Sequence, residues 1–172
     1  MERQRLVAHM EMTGSWFIDE VSGLTPTQLA FKRTPDEWSI AQVIDHLLVV
    51  GPIYWSDLQT ALKSPARGQP RTSNTDADIL WYGIDRTNRE KAIPTEVPLG
   101  KFRDLASATA EYRKNHERFL QYVKTTTDDL RGHYVTRQGS DVYQWLLLVS
   151  THEQRHILQI RELKKAKGFP PG

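Results

Sequence analysis

The chain has 172 residues, of which 38% are hydrophobic and 26% are charged, as expected for a globular protein with a buried core. Its formal net charge is +2, with 23 Lys and Arg against 21 Asp and Glu spread along the sequence, so we expect no nucleic-acid partner. The chain has no cysteine, which excludes disulfides, iron–sulfur clusters and a cysteine nucleophile. The N-terminal residues lack the apolar core of a signal peptide, and no apolar run reaches membrane-spanning length. We therefore expect a cytoplasmic protein with no membrane partner.

The first part of the chain predicts two amphipathic helices, because apolar residues recur there at three- and four-residue spacing. The stripe of the first helix is Leu6, Met10, Thr13, Phe17, Val21 and Leu24. We expect this helix to stop near Gly23, before a short turn opened by Thr25-Pro26. The second helix has a clear start, since Ser39 with Gln42 three residues later forms a capping box. It should extend to about Leu62.

Residues 64–100 form a connection of unusual length between helices two and three. The segment is rich in Pro, Gly, Ser and Thr, yet it contains the apolar stretch DILWYGI. We therefore expect a long crossing connection with a short helix near residues 76–84 that folds onto the helices.

Two further amphipathic segments follow the connection. The third stripe is Phe102, Leu105, Thr109, Tyr112, His116, Phe119 and Val123. The fourth follows Gly139-Ser140 and comprises Val142, Trp145, Val149, His152, His156, Ile160 and Leu163. No segment shows the period-two pattern of a strand. The sequence thus predicts an all-α fold, an antiparallel four-helix bundle with a long connection between helices two and three, in a single domain over residues 1–172.

Two histidines of the fourth stripe indicate a metal site. His152 and His156 are four residues apart, so their Cβ atoms lie roughly 5–6 Å from each other on one helix face. Two buried imidazoles need partners, which are either a shared metal or separate carbonyl and hydroxyl groups. His46 shares a face of helix two with Val43 and Val50 and can also point inward. Three histidines from two helices would make an N₃ site with open positions for water or substrate.

The remaining histidines are weaker ligand candidates. His116 also lies on an apolar stripe, and nothing local separates it from a ligand. We expect it to be a hydrogen-bonded or partly exposed core histidine, because no second polar group accompanies it. We expect His9 and His133 on the surface or in loops.

Residues 152–156 spell H-E-x-x-H, the pattern of a zinc metalloprotease helix. The compact variant of that site requires Gly and His where this chain has Gln159 and Glu162. The other variant takes a distant downstream Glu, but only 16 residues follow His156. We therefore reject the metalloprotease interpretation.

The stretches WSIAQVIDHL and HEQRHILQI resemble the two signature blocks of the DinB-like superfamily. This resemblance implies a four-helix bundle in which His46, His152 and His156 hold one divalent metal ion, usually zinc or nickel. It also implies a homodimer. Characterised relatives include S-transferases and isomerases that use the thiols bacillithiol or mycothiol, while others are described as metal-dependent hydrolases. Glu153 falls at a variable position of that family.

Three functions follow as hypotheses. The first is a thiol-dependent S-transferase, in which the triad metal activates a low-molecular-weight thiol that attacks an electrophilic substrate. The second is a metal-dependent hydrolase, for which Asp45 and Glu153 are the nearest general bases in sequence. Neighbouring residues on a helix point about 100° apart, so neither is well aimed at the metal. The third is a non-catalytic metal-binding stress protein.

Arginines and aromatic residues near the predicted site are candidates for substrate binding. We expect the main contacts from Arg113, Arg155, Tyr54 and Trp81. Weaker candidates are Arg89, Arg161, Trp55 and Tyr82.

Overall fold

The computed structural model of the protein describes residues 2–66, 72, 74–88 and 91–172. Within this part of the chain the helices are α1 (Glu2–Val21), α2 (Pro26–Ala30), α3 (Ile40–Leu62), α4 (Asp76–Ile84), α5 (Leu105–Thr125) and α6 (Val142–Lys164). Two short strands, β1 (Tyr134–Val135) and β2 (Ser140–Asp141), precede α6. The long helices α1, α3, α5 and α6 are the four that the periodicity predicts. None of the helices described is long and apolar enough to cross a membrane.

The four long helices form a bundle in which α1 and α3 each pack against both α5 and α6. The predicted all-α four-helix bundle is therefore confirmed. Their inward stripes build one hydrophobic core, and its largest fully buried side chain is Trp145. The indole of Trp145 donates a hydrogen bond to the carbonyl of Tyr54 (3.1 Å), which joins the first turn of α6 to α3.

Helix directions differ from a fully antiparallel bundle. In the α1–α6 pair, His9 contacts Ser150 and Glu20 contacts Arg161. Residue numbers increase in the same direction along both helices, so α1 and α6 run parallel. Contacts of α3 with α5 also advance together, from residues 51 and 115 to residues 55 and 119.

Of the four packed pairs of long helices, α1–α5 and α3–α6 are the antiparallel ones. Phe17 stacks on Tyr112 while Glu11, earlier in α1, pairs with Lys124, later in α5. Helices α3 and α5 therefore start at the same end of the bundle. The length of the connection permits this, because a short loop would have made the two helices antiparallel neighbours.

The expected short helix of the connection is present as α4, with a capping box made by Thr75 and Asp78. It packs on α6 so closely that a Cβ atom on Gly83 would lie 2.8 Å from the Cβ atom of Thr151. The guanidinium of Arg155 in α6 holds the end of α4, because it donates hydrogen bonds to the carbonyls of Tyr82 (2.9 Å) and Asp85.

Several boundaries refine the predicted elements. The capping box at Ser39 is confirmed, and α3 ends at Leu62 as expected. The turn at Thr25-Pro26 is instead the start of α2, which Thr25 caps. Helix α5 begins after the N-cap Asp104, so Phe102 precedes it. Strands β1 and β2 were not predicted, because two residues each are too few to give a period-two pattern.

Candidate metal centre

Three buried histidines meet where α3 and α6 cross near the middle of the bundle. His46 comes from α3, whereas His152 and His156 lie one turn apart on α6. The Nε2 atom of His152 is 3.2 Å from Nε2 of His46 and 3.1 Å from Nε2 of His156. One ligand nitrogen from each ring lies within 4.8 Å of the other two. The predicted triad of His46, His152 and His156 is thus brought together.

The outer nitrogens of two of these rings are fixed by the surrounding protein. Nδ1 of His46 lies 2.5 Å from the carbonyl oxygen of Glu96, and Nδ1 of His156 lies 2.9 Å from Oε1 of Gln159. Both partners are acceptors, so each Nδ1 carries the proton and each Nε2 turns a lone pair towards the centre. Nδ1 of His152 is buried without a hydrogen-bond partner among the residues described.

Burial keeps the three imidazoles neutral. Desolvation lowers the pKa of His46, and the hydrogen bond to the Glu96 carbonyl only partly offsets it. Desolvation and the neighbouring imidazoles put the pKa values of His152 and His156 well below the usual value of 6.5. Neutral imidazole is the form that binds a metal ion.

The arrangement fits a divalent metal ion. Three Nε2 lone pairs lie close together and face inward, and such a set of nitrogen donors suits ions such as zinc, nickel or copper. Without such an ion, three neutral Nε2 acceptors would face one another with no proton to share. Three protein ligands also leave coordination positions for other molecules, as in catalytic rather than closed structural sites.

The triad opens onto a cavity of about 920 Å³, large enough for a small organic molecule. Trp38 forms part of its wall, with its ring 5.0 Å from the ring of His46. Tyr54 lies on the opposite side of the triad, 5.5 Å from the ring of His152. The connection 64–100 contributes further walls through α4 and residues 91–97.

Charged groups of both signs line this cavity, and most are paired. Three pairs, Arg33–Glu37, Arg86–Glu162 and Arg137–Glu96, each join a guanidinium to a carboxylate. Lys91 lines the cavity and has no ion-pair partner within the described part of the chain.

A sequence profile described as the DinB superfamily matches residues 9–160 of the chain, which include the triad. The chain belongs to the DinB superfamily. The resemblance drawn from the two signature blocks is therefore confirmed.

Two Bacillus subtilis proteins are similar to this DinB superfamily member. The uncharacterized protein YuaE of strain 168 is 26% identical over 151 residues, which is 86% of this chain and 90% of YuaE. The solved structure of YfiT is described as a probable metal-dependent hydrolase with an unusual four-helix bundle topology. It superposes with a TM-score of 0.65 at 19% identity, covering 98% of this chain and 89% of that one.

The predicted substrate residues divide into two groups. Tyr54 and Arg155 line the cavity of this DinB superfamily protein. The guanidinium of Arg155 is already engaged with backbone carbonyls, including that of Asn88 (2.5 Å), so it shapes the wall. Arg113 and Trp81 are not brought to the triad, because Arg113 is exposed on α5 and Trp81 is 62% exposed on α4.

The weaker candidates divide in the same way. Tyr82 lines the cavity. Arg161 pairs with Glu20 on α1, and Trp55 packs on Phe119. Arg89 lies outside the described residues.

Two of the remaining histidines, His116 and His9, have partners that the sequence pattern did not reveal. His116 is accompanied by a polar group, because its Nδ1 lies 3.0 Å from a carboxylate oxygen of Glu153. Burial opposes the charge of His116, but Glu153 outweighs burial and raises its pKa. His9 is not a surface residue, since it is half-buried with Nδ1 2.7 Å from Oγ of Ser150. His133 lies in the loop between α5 and β1, as expected; it is half-buried, and its Nδ1 has no hydrogen-bond partner among the described residues.

Neither acid nearest the triad in sequence faces the metal centre. Asp45 accepts hydrogen bonds from the backbone N–H groups of Gly100 (2.9 Å) and Phe102 (2.5 Å), which fixes the chain ahead of α5. Glu153 accepts from the hydroxyl of Thr13 (3.2 Å) on the far side of α6. The expectation that both are poorly aimed is therefore supported by where their side chains bond.

Sequence reasoning missed Glu96 and Gln159, which orient two of the ligand histidines. Gln159 carried a signal, since it lies three residues after His156 and thus on the same helix face. Glu96 carried none. It acts through its backbone carbonyl, and it reaches His46 only because the long connection folds over α3.

Proposed function

We propose that this protein is a divalent-metal-dependent enzyme that activates a low-molecular-weight thiol for transfer to an electrophilic substrate. The observation that carries the proposal is the convergence of three neutral Nε2 donors on the wall of an open cavity. A closed structural site would need a fourth protein ligand, and the described residues supply only these three to the cluster.

A thiol fits this site chemically. A divalent cation held by the triad supplies Lewis acidity, which lowers the pKa of a thiol or water molecule that reaches it. Because the chain has no cysteine, any sulfur nucleophile comes from a second substrate. The thiol needs no carboxylate base beside it once it is deprotonated, which agrees with the engagement of Asp45 and Glu153 elsewhere.

The cavity walls suit a polar thiol beside a partly apolar electrophile. Trp38 and Tyr54 offer aromatic surface next to the triad. Lys91 is available to an anionic group of either substrate, since the guanidinium groups of Arg33, Arg86 and Arg137 are held in ion pairs. Tyr54 acts as a neutral phenol, because burial raises its pKa.

A hydrolase is the second candidate, and one observation favours it. The Glu96 carboxyl lines the cavity, and burial raises its pKa despite the adjacent Arg137, which brings it closer to the range of a general base. The description of YfiT as a probable metal-dependent hydrolase points the same way. A non-catalytic metal-binding protein is the third candidate and predicts no turnover of any substrate.

Cobalt substitution separates these functions. The Co(II)-loaded protein is titrated with small thiols such as cysteine and glutathione while its absorption spectrum is recorded. The proposal predicts a thiolate-to-cobalt charge-transfer band and thiol-dependent consumption of an electrophile such as monochlorobimane. Hydrolysis of activated esters in the absence of a thiol would instead support the hydrolase, provided that this activity is lost in Glu96→Gln. If no thiol produced the charge-transfer band or the consumption of the electrophile, thiol activation would be overturned.

A further inference from the structure

A second, much smaller cavity lies behind the triad, inside the bundle. Its volume is about 20 Å³, and it is enclosed by α3, α5 and α6. One water molecule needs roughly 10–15 Å³ of such space, so this cavity has room for one. Most of its lining is apolar, but Tyr112, Asn115, Glu153 and His152 also reach it.

Two polar atoms facing this cavity lack partners among the described residues. They are Nδ1 of His152 and the hydroxyl of Tyr112, in side chains of residues only 7% and 3% exposed. Burial and the nearby Glu153 carboxylate raise the pKa of the Tyr112 hydroxyl, but the hydroxyl and the carboxylate do not meet in hydrogen-bond geometry. A buried donor left without an acceptor destabilises the folded protein. Buried polar groups in folded proteins are normally satisfied by protein or by ordered water.

The His152 ring differs from its two neighbours in this respect. Nδ1 of His46 and Nδ1 of His156 each meet an oxygen acceptor from the protein. When Nε2 of His152 faces the metal position, its Nδ1 carries the proton and points away from the large cavity. Metal-binding histidines almost always donate this second N–H to an oxygen.

We propose that the small cavity holds one ordered water molecule that accepts a hydrogen bond from Nδ1–H of His152 and bonds to the hydroxyl of Tyr112. The water is thus the missing outer partner of the third ligand, and Tyr112 is a positioning residue for the metal site. The Glu153 carboxylate or the Asn115 amide, both on the cavity lining, supplies a third contact. A buried water typically makes about three hydrogen bonds. The role of Tyr112 rests on the proposed metal site, whereas the water site itself does not.

High-resolution crystal structures of the metal-free and zinc-loaded protein test the water directly. The expected result is density for one water within hydrogen-bonding distance, about 2.7–3.2 Å, of both Nδ1 of His152 and the Tyr112 hydroxyl. A dry cavity in both forms would overturn the proposal. This measurement is informative even if the protein binds no zinc, in which case only the proposed function fails.

The variant Tyr112→Phe tests the positioning role, with Tyr122→Phe as its matched control. Both tyrosines lie on α5, but the hydroxyl of Tyr122 bonds to Asp128 (2.8 Å) away from the cavity. We expect zinc affinity, measured by chelator competition, to fall about 10-fold in Tyr112→Phe. It should change less than twofold in the control.

A spectroscopic signal separates positioning from a general loss of stability. The ¹⁵N resonance of His152 Nδ1 in the zinc-loaded protein should shift in Tyr112→Phe and stay unchanged in Tyr122→Phe. An unshifted resonance together with unchanged zinc affinity in Tyr112→Phe would contradict the assignment.

Discussion

Histidines on the apolar faces of α5 and α6 have different roles in this protein because different groups contact their ring nitrogens. His152 and His156 face other imidazoles, whose lone pairs need a cation between them. His116, on α5, faces a carboxylate instead. Its pKa is raised, and a protonated imidazole cannot bind a metal ion. The charge of the partner therefore separates a structural histidine from a ligand.

This difference predicts the effect of His116→Ala. The substitution removes the imidazole partner of the buried Glu153 carboxylate, which keeps its hydrogen bond from the Thr13 hydroxyl, so stability should fall by about 1–3 kcal/mol. The metal content should stay that of the wild type. Urea unfolding and elemental analysis of the same preparation measure both quantities. Loss of metal from a well-folded His116→Ala protein would place this residue in the metal site.

At this scale the sequence predicts the ligands but not what orients them. Spacing along α6 and the apolar face of α3 place His46, His152 and His156 inward. The partner of His116 was hidden because Glu153 lies 37 residues away and on another helix. Contacts between distant residues depend on how the helices are arranged, and periodicity carries no information about that.

Among the elements, α4 is the one that makes the bundle into a binding site. It packs on α6 beside the triad and walls the large cavity together with residues that follow it. Its position depends on Arg155, which is 7% exposed and donates to carbonyl oxygens at the C-terminal end of α4. The apolar run in the connection predicts α4 itself, but not the arginine that holds it.

We expect Arg155→Met to loosen α4 without unfolding the bundle. Methionine keeps much of the apolar stem but cannot donate to the carbonyls of Tyr82 and Asp85, a loss of about 2–4 kcal/mol in local stability. Hydrogen exchange within Asp76–Ile84 should accelerate, while exchange in α3 stays unchanged.

A matched control for this experiment is Arg161→Met. Arg161 is also on α6, but it pairs with Glu20 on the opposite face. Exchange in α4 should be as slow in this variant as in the wild type. Equal protection of α4 in the Arg155 and Arg161 variants would show that the carbonyl contacts do not hold the helix.

Over the whole molecule, the helix directions follow from the length of the connection. Four amphipathic helices predict a bundle, and a short loop between α3 and α5 would have made these two antiparallel neighbours. The 42 residues from 63 to 104 instead allow the chain to return, so that α5 runs parallel to α3. The sequence pattern gives the number and inner faces of the helices, but their directions depend on the path of the connection. The homodimer and the cytoplasmic location remain predictions.

The buried histidines also predict how stability depends on pH. The pKa values of His9, His46, His152 and His156 are lowered by burial, so between their lowered values and 6.5 the unfolded chain binds more protons than the folded one. Stability of the metal-free protein should therefore fall as pH decreases from 7.5 to about 5.5. His116 acts in the opposite direction, because its pKa is raised and its contribution is lost as pH increases.

Urea unfolding of the metal-free protein across this range measures the balance. Four histidines with a lowered pKa against one with a raised pKa predict a net loss of stability towards pH 5.5. Removal of one triad histidine in His152→Ala should make the dependence shallower. A free energy of unfolding that stays constant or increases towards pH 5.5 would contradict the conclusion that the triad imidazoles are buried in their neutral form.

The central claim is that His46, His152 and His156 hold one metal ion, and elemental analysis of the untagged protein tests it most directly. Inductively coupled plasma mass spectrometry is applied to the wild type and to His152→Ala, both as purified and after reloading with zinc or nickel. We predict close to one divalent ion per chain in the wild type and almost none in the variant. An absence of metal from the reloaded wild type, or equal metal in both proteins, would contradict the claim.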